Sequence, residues 1–126
     1  MKITTGIDII EIDRVKQSIE DTDGKFCTRV YTEKEIEYCE SKKAQKYQHY
    51  AARFAAKEAV FKAVSPLLQN KYDIGWKDIQ ILNDENGRPF VNILNENIKG
   101  IKDIDISMSH CKQYALAYVI INLAEE

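Results

Sequence analysis

The stretch Arg53-Phe-Ala-Ala-Lys-Glu-Ala-Val-Phe-Lys62 constrains the fold of this chain more than any other. Read at helical period, it belongs to a pattern that begins near Gln45 and ends before Pro66. Tyr47, Tyr50, Phe54 and Phe61 make an aromatic stripe, and Ala52, Ala56, Ala59 and Ala63 make a stripe of small residues on the far side. A helix apolar on two sides is expected to lie sandwiched between other elements. Glu58 falls inside the aromatic stripe, so the pattern predicts a largely desolvated carboxylate, and an unpaired buried charge is costly. Lys62, one turn on, is the local candidate partner; a metal ion is the other. An i, i+4 Glu–Lys pair is worth only about 0.2–0.5 kcal/mol, too little to offset burying both charges. A phosphate held between a metal on Glu58 and the Lys62 ammonium would supply the missing partner.

Charge sharpens this reading. The chain has 126 residues and a net charge of −2, yet between Ser41 and Lys62 six basic residues face one acid, Glu58. A segment this basic inside an acidic chain suggests a bound polyanion, although a solvated basic helix face is the commoner origin of such a run. Nucleic-acid binding through Lys42, Lys43, Lys46 and Arg53 is the weakest option, because the chain lacks both aromatic-interleaved exposed motifs and an overall basic charge. At 44% apolar and 30% charged residues, the composition fits one globular domain over residues 1–126. No apolar run reaches membrane-spanning length and the N-terminus has no apolar signal region, so a cytoplasmic location is expected. Cys27, Cys39 and Cys111 lack metal-site spacing and are expected as free thiols.

Taken in order, Ile3 to Ile10 predicts a strand, with Gly6 marking a bulge or a close backbone approach. Ile12, Val15 and Ile19 give a first helical face, ended by Asp21-Thr-Asp-Gly24. A short segment with Lys25, Phe26, Arg29 and Tyr31 follows. Thr32 and Glu35 fit a capping box for a helix running to about Ser41. The central helix comes next, and residues 67–75 read as irregular. Ile79–Leu82 and Arg88–Leu94 make a hairpin around Asn86-Gly87, which is expected to supply positive φ. Asn95 to Gly100 fits one or two helical turns. Ile104, Ile106 and Met108 alternate with polar residues as a strand, His110 to Gln113 turn, and Tyr114 to Leu123 return. One strand, three helices and two hairpins separated by a short helix argue an α+β fold with antiparallel pairing.

Asp8 lies between Ile7 and Ile9 at the expected strand end, where it either faces solvent or is held rigidly. If that strand packs on the Glu58 face, the two carboxylates meet as hard oxygen ligands suited to magnesium, which keeps waters and bridges to substrate phosphates. Taken singly, either acid is more often an ion-pair partner. His110 sits where a strand gives way to a turn and would donate to an oxygen in a phosphate site. Arg88, in the Asn86-Gly-Arg-Pro89 turn, offers a guanidinium fork for the same purpose.

Four stretches together resemble the holo-[acyl-carrier-protein] synthases, the small bacterial type of 4′-phosphopantetheinyl transferase: Gly6-Ile-Asp-Ile9 with Arg14, Arg53 to Ala63, Asn86-Gly-Arg-Pro89, and Ser107-Met-Ser-His110 with Tyr114-Ala-Leu-Ala117. The resemblance covers almost the whole chain, and the Arg53–Ala63 signature is its most specific part. Thr4 and Ser65 stand where the family usually has glycine, and Cys111 where it has threonine or serine. These replacements bear on the strand entry and the loop after the helix. The resemblance implies the 4′-phosphopantetheinyl transferase fold, with the long central helix packed on the sheet. It implies transfer of the phosphopantetheine arm of coenzyme A to a serine of an apo-acyl carrier protein, a step serving fatty acid biosynthesis, with release of adenosine 3′,5′-bisphosphate. A non-catalytic coenzyme A or nucleotide-binding module is the alternative. By the same resemblance Asp8 and Glu58 are magnesium ligands, and Lys62 is a catalytic lysine beside the phosphates. Arg53, Lys62, Asn86, Gly87, Arg88, Pro89 and His110 belong to the coenzyme A site. The general base is Asp8 or a water it orients. Arg14, Lys25 and Arg29, with Phe26 as an apolar anchor, match the face that docks the acidic carrier, and the family implies a homotrimer with shared active sites.

Overall fold

Alternation in the first ten residues is what places the rest of the molecule. The computed structural model describes residues 1–125, apart from the side chain of Lys71. Strand β1 (Lys2–Glu11) turns Gly6 inward and leaves Ile3, Ile7 and Ile9 exposed. It is followed by α1 (Ile12–Asp21), α2 (Lys25–Val30), α3 (Glu33–Glu40) and α4 (Lys46–Val64). Then come β2 (Ile79–Asn83), β3 (Pro89–Ile93), β4 (Ile101–His110) and β5 (Tyr114–Leu123). The strands form two antiparallel sheets, one ordered β1-β5-β4 and the other β2-β3. The α+β reading therefore holds, with both hairpins where they were expected.

Helix α4 lies between two cores. One gathers Ala55, Ala59, Val60 and Ala63 with Ile106, Ala117, Val119 and Ile121 of the larger sheet and Ile79 and Ile81 of the smaller. The other joins Tyr50, Ala51 and Ala52 to Ile12, Val15, Ile19, Val30, Tyr31 and Cys39 of the preceding helices. The alanine stripe permits a very close approach: a Cβ on Gly6 would stand 1.8 Å from the Ala59 carbonyl oxygen. Gly6 is thus a contact point rather than a bulge, and β1 stays in continuous register with β5 from Lys2 opposite Leu123 to Glu11 opposite Tyr114.

Local signals set several boundaries. Thr32 caps α3 with both halves of the capping box formed. Asp23 and Gly24 take positive φ and turn the chain out of α1. In the β2–β3 turn only Gly87 has positive φ, at 81°; Asn86 does not, because Asp84 Oδ1 accepts from the backbone N–H groups of Asn86 and Arg88 and holds the loop instead.

Three expectations need correction. Residues 25–30 form a helix, α2, so four α-helices precede the hairpins rather than three. Asn95 to Gly100 is not helical: Asn95 Oδ1 accepts from Asn97 N–H, an Asx turn that competes with helix formation. Glu58 is half-buried rather than largely desolvated. The buried charges of α4 are instead Arg53, 1% exposed, and Lys57, fully buried against an equally buried Glu35.

Candidate active site

Close packing of β1 on α4 brings Asp8 to Glu58. Asp8 sits two residues beyond Gly6 on the inward side of the strand, opposite Ala117 in the ladder. Both carboxylates line a cavity of about 310 Å³, together with Glu11, Arg14, Phe54 and Tyr114. Arg14 thus stands at the same cavity as the two acids, on α1.

Lys62 does not pair with Glu58. Its Nζ donates to the Ile7 carbonyl at 2.8 Å and to Asp8 Oδ1 at 3.4 Å. The helical pair expected from spacing is replaced by a tie back to β1, because the strand offers both a carbonyl and a carboxylate. Glu58 is left without an ion-pair partner among the described residues. Burial raises the Asp8 carboxyl above its ordinary range, partly offset by Lys62. Burial likewise raises Glu58, and the neighbouring Asp8 charge raises it further. Asp8, Glu58 and Glu11 therefore line one cavity with Arg14, while Lys62 pairs with Asp8 from beside it, and the Asp8–Glu58 pair fits a divalent cation. Such an ion needs few protein ligands when waters and phosphates complete its shell, so the absence among the described residues of any cluster of three acidic, histidine or cysteine side chains placed to hold a metal does not conflict.

Aromatic rings wall this site in. Phe54 stacks on Trp76 with centroids 5.1 Å apart, and Trp76 meets Phe61 edge-on at 5.3 Å. Glu58, Phe61, Ile74 and Trp76 line a second cleft of about 410 Å³ that begins at Glu58. Trp76 escaped the sequence reading, since one tryptophan between an irregular stretch and a strand carries no periodic signal. Phe26, expected as a surface anchor, is partly buried against Phe54 and Tyr31 at 5.8 and 6.1 Å. Lys25 and Arg29 beside it are exposed.

The remaining candidates gather elsewhere. Arg53 turns away from Glu58, donates to Asn83 Oδ1 and lies 4.1 Å from the centre of the Tyr38 ring. Lys42 stands over the same ring at 4.7 Å and His49 meets it edge-on at 5.5 Å. The His49 imidazole is held below its ordinary range by burial first, then by the charges of Arg53, Lys42 and His110. Asn83 in turn donates to Gly87 O, which ties Arg53 to the Asn86-Gly87-Arg88-Pro89 turn. Arg88 is exposed and paired with Asp105 at 3.1 Å, and His110 is exposed at the end of β4. None of Arg53, Arg88 and His110 lines the Asp8–Glu58 cavity. Thr4 and Ser65 keep strand and helix in place while adding hydroxyls: Thr4 donates to Ala63 O and Ser65 to Lys62 O.

Buried Lys57 and Glu35, also missed in the sequence, brace the site from behind. Lys57 Nζ donates to Glu35 Oε1 at 2.8 Å, to Trp76 O at 2.9 Å, and to Ile79 O. Glu35 accepts from Thr32 N and Ile81 N, both at 2.8 Å. A Glu at the third position of a capping box reads as a surface cap, which hides its second role.

Known proteins share this fold. The model of the 4′-phosphopantetheinyl transferase superfamily matches residues 4–119. The holo-[acyl-carrier-protein] synthase of Ruminiclostridium cellulolyticum is 45% identical over 130 residues, covering 99% of this chain and 96% of its own. The crystal structure of a Bacillus anthracis holo-(acyl-carrier-protein) synthase in complex with CoA (3′,5′-ADP) superposes with a TM-score of 0.79 at 31% identity, covering 97% of this chain and 96% of that one. The Helicobacter pylori holo-[acyl-carrier-protein] synthase in complex with coenzyme A gives 0.80 at 27% identity, covering 94% and 99%. With carboxylates on β1 and α4 meeting beneath a lysine, and relatives this similar along nearly the full length, the chain belongs to the 4′-phosphopantetheinyl transferase superfamily and is an enzyme of its holo-[acyl-carrier-protein] synthase family.

Proposed function

We propose that this enzyme transfers the 4′-phosphopantetheine arm of coenzyme A to a serine of an acidic apo-acyl carrier protein, releasing adenosine 3′,5′-bisphosphate in a magnesium-dependent reaction. The observation that carries the reading is the convergence of Asp8 and Glu58 on one cavity with Lys62 bound to Asp8. Asp8 and Glu58 are the residues that would hold the magnesium ion, which when bound supplies positive charge for the pyrophosphate oxygens. The chemistry breaks the phosphoanhydride bond as the seryl oxygen forms a bond to the retained phosphorus. Positioning and charge stabilisation dominate such transfers. Lys62, 54% exposed and anchored through Ile7 O, is suited to neutralise charge that develops on the departing phosphate. The attacking hydroxyl belongs to the carrier, so the chain needs no nucleophile of its own.

Exposed Arg14, Lys25 and Arg29 support a docking face for an acidic carrier, with Arg14 nearest the carboxylates. Exposed Arg88 of the 86–89 turn and exposed His110 support a separate region for the nucleotide end of coenzyme A, with buried Arg53 bracing that turn through Asn83, which is consistent with a homotrimer that shares its sites. A cytoplasmic setting suits the free Cys27, Cys39 and Cys111, and among the described residues no helix is long and apolar enough to cross a membrane.

Incubation with coenzyme A, Mg²⁺ and an apo carrier should add one phosphopantetheine to the carrier's mass, and omission of Mg²⁺ or the Asp8→Asn change should prevent it. Coenzyme A binding with no change in carrier mass would replace the transferase reading with a binding module.

A further inference from the structure

We propose that Thr4 and Ser65 are positioning residues for Lys62, fixing the last turn of α4 against β1 so that the ammonium is delivered to Ile7 O and Asp8. The proposal rests on the transferase reading above. A helix leaves its last four carbonyls without partners inside the helix. In α4 two of these meet side-chain hydroxyls: Lys62 O accepts from Ser65 Oγ at 2.8 Å, and Ala63 O accepts from Thr4 Oγ1 at 2.9 Å. The Ser65 bond is local, whereas the Thr4 bond crosses from β1.

Its position matters because Gly6 already packs against the Ala59 carbonyl and beside Ala63 N. Packing alone resists separation but is not directional. The Thr4 hydrogen bond adds a directional restraint at Ala63, on the rotation and slide of the helix. Lys62 lies between Ala59 and Ala63 in sequence and reaches back to the same strand, donating to Ile7 O at 2.8 Å. Three ties therefore alternate along β1: Thr4 to Ala63, Gly6 to Ala59, and Ile7 to Lys62. Lysine carries a long flexible stem on a side chain still 54% exposed, so holding its head costs rotamer freedom. A fixed backbone beneath it lowers that cost before substrate arrives. Neither Thr4 nor Ser65 lines the Asp8–Glu58 cavity; Thr4 acts through the helix end that carries Lys62, and Ser65 shares a neighbouring pocket with Lys62.

The test compares Thr4→Val, which keeps shape and loses the hydroxyl, with Thr4→Ser, which keeps the hydroxyl, and pairs each with Ser65→Ala or parental Ser65. Transfer kinetics are measured with coenzyme A, Mg²⁺ and apo carrier. In parallel, trace acetylation of lysines followed by mass spectrometry reports how well Lys62 is held, independently of activity. Thr4→Val/Ser65→Ala should lower kcat about fivefold with KM for coenzyme A changed less than about twofold, as expected when an interaction of the transition state is lost. Lys62 in that variant should acetylate about threefold faster, Thr4→Ser with parental Ser65 should keep both readings at parental values, and Thr4→Ser/Ser65→Ala should fall between the two. Parental kcat together with parental Lys62 labelling in the folded double variant would overturn the proposal, as would Thr4→Ser failing as badly as Thr4→Val. A parental protein that transfers nothing defeats the transferase reading instead, and the labelling then judges Thr4 and Ser65 alone.

Discussion

Glu58 carries the strongest single-residue argument. Asp8 and Glu58 both have proton affinities above the ordinary carboxylate range, so their ionised forms destabilise the free protein. That cost is absent below the ordinary range, where both carboxyls are protonated in the folded and unfolded chains alike. It sets in as pH rises through the raised values and is present at neutral pH. A cation bound between the two relieves it. Magnesium at about ten times its dissociation constant adds ~1.4 kcal/mol, or roughly 5 °C in Tm for a chain of this size. Differential scanning fluorimetry should show this rise at pH 7 and lose it as the carboxyls protonate. Glu58→Gln should melt above the parent at pH 7 without magnesium, show no magnesium response, and lose about 100-fold or more in transfer rate. A magnesium response retained in Glu58→Gln would remove Glu58 from the metal site.

At the scale of elements, the buried Lys57–Glu35 pair joins α4 to α3, β2 and the Trp76 carbonyl. Breaking such a pair by removing one partner leaves a buried charge uncompensated. Lys57→Met should therefore lower the unfolding free energy by about 3 kcal/mol in urea titrations; a loss within 0.5 kcal/mol, the scale of an ordinary surface change, would show that the pair is expendable. The sequence revealed α4, its ends and both hairpins because period, Pro66 and Gly87 act locally. It revealed the fold class because strands and helices come in separable runs. It pointed to Glu58 and Lys62 through a highly specific signature and to Asp8 through a weaker one. What it could not rank was which charges of α4 are buried. The aromatic stripe marked Glu58, yet burial fell on Arg53 and Lys57, whose partners Asn83, Glu35 and Trp76 lie 19 to 30 residues away in sequence. Likewise Lys62 chose Ile7 and Asp8 over the neighbour one turn back, because tertiary geometry outweighs a weak helical pair. The missed helix α2 has only six residues, too short for a period to register.

The whole molecule presents an unfinished surface. Ile3, Ile7 and Ile9 of β1 are 50 to 61% exposed, and Tyr114, Tyr118 and Ile120 of β5 are 37 to 43% exposed. Ile7 stands opposite Tyr118 across the ladder, so these residues share the outer face of the β1-β5-β4 sheet. An apolar face of this kind suits the proposed association of copies. Meanwhile Arg53 and Glu58 are five residues apart on α4, roughly 140° around the helix at 3.6 residues per turn, and the Arg88–His110 region does not line the carboxylate cavity. Association of copies through the sheet face would let the carboxylates of one copy meet the Arg88–His110 groups proposed for the nucleotide on the next, as cyclic symmetry allows. Complementation tests this directly. Glu58→Gln and Arg88→Ala/His110→Ala should each be inactive alone. Mixed one to one under conditions that exchange subunits, they should recover about one quarter of parental activity, since a site needs an intact half from each of two neighbours drawn at random. Ile120→Glu, which places a charge on the apolar face away from the carboxylates, should yield monomers by sedimentation and abolish that recovery. Parental activity in a monomeric Ile120→Glu protein would place the complete site within one chain.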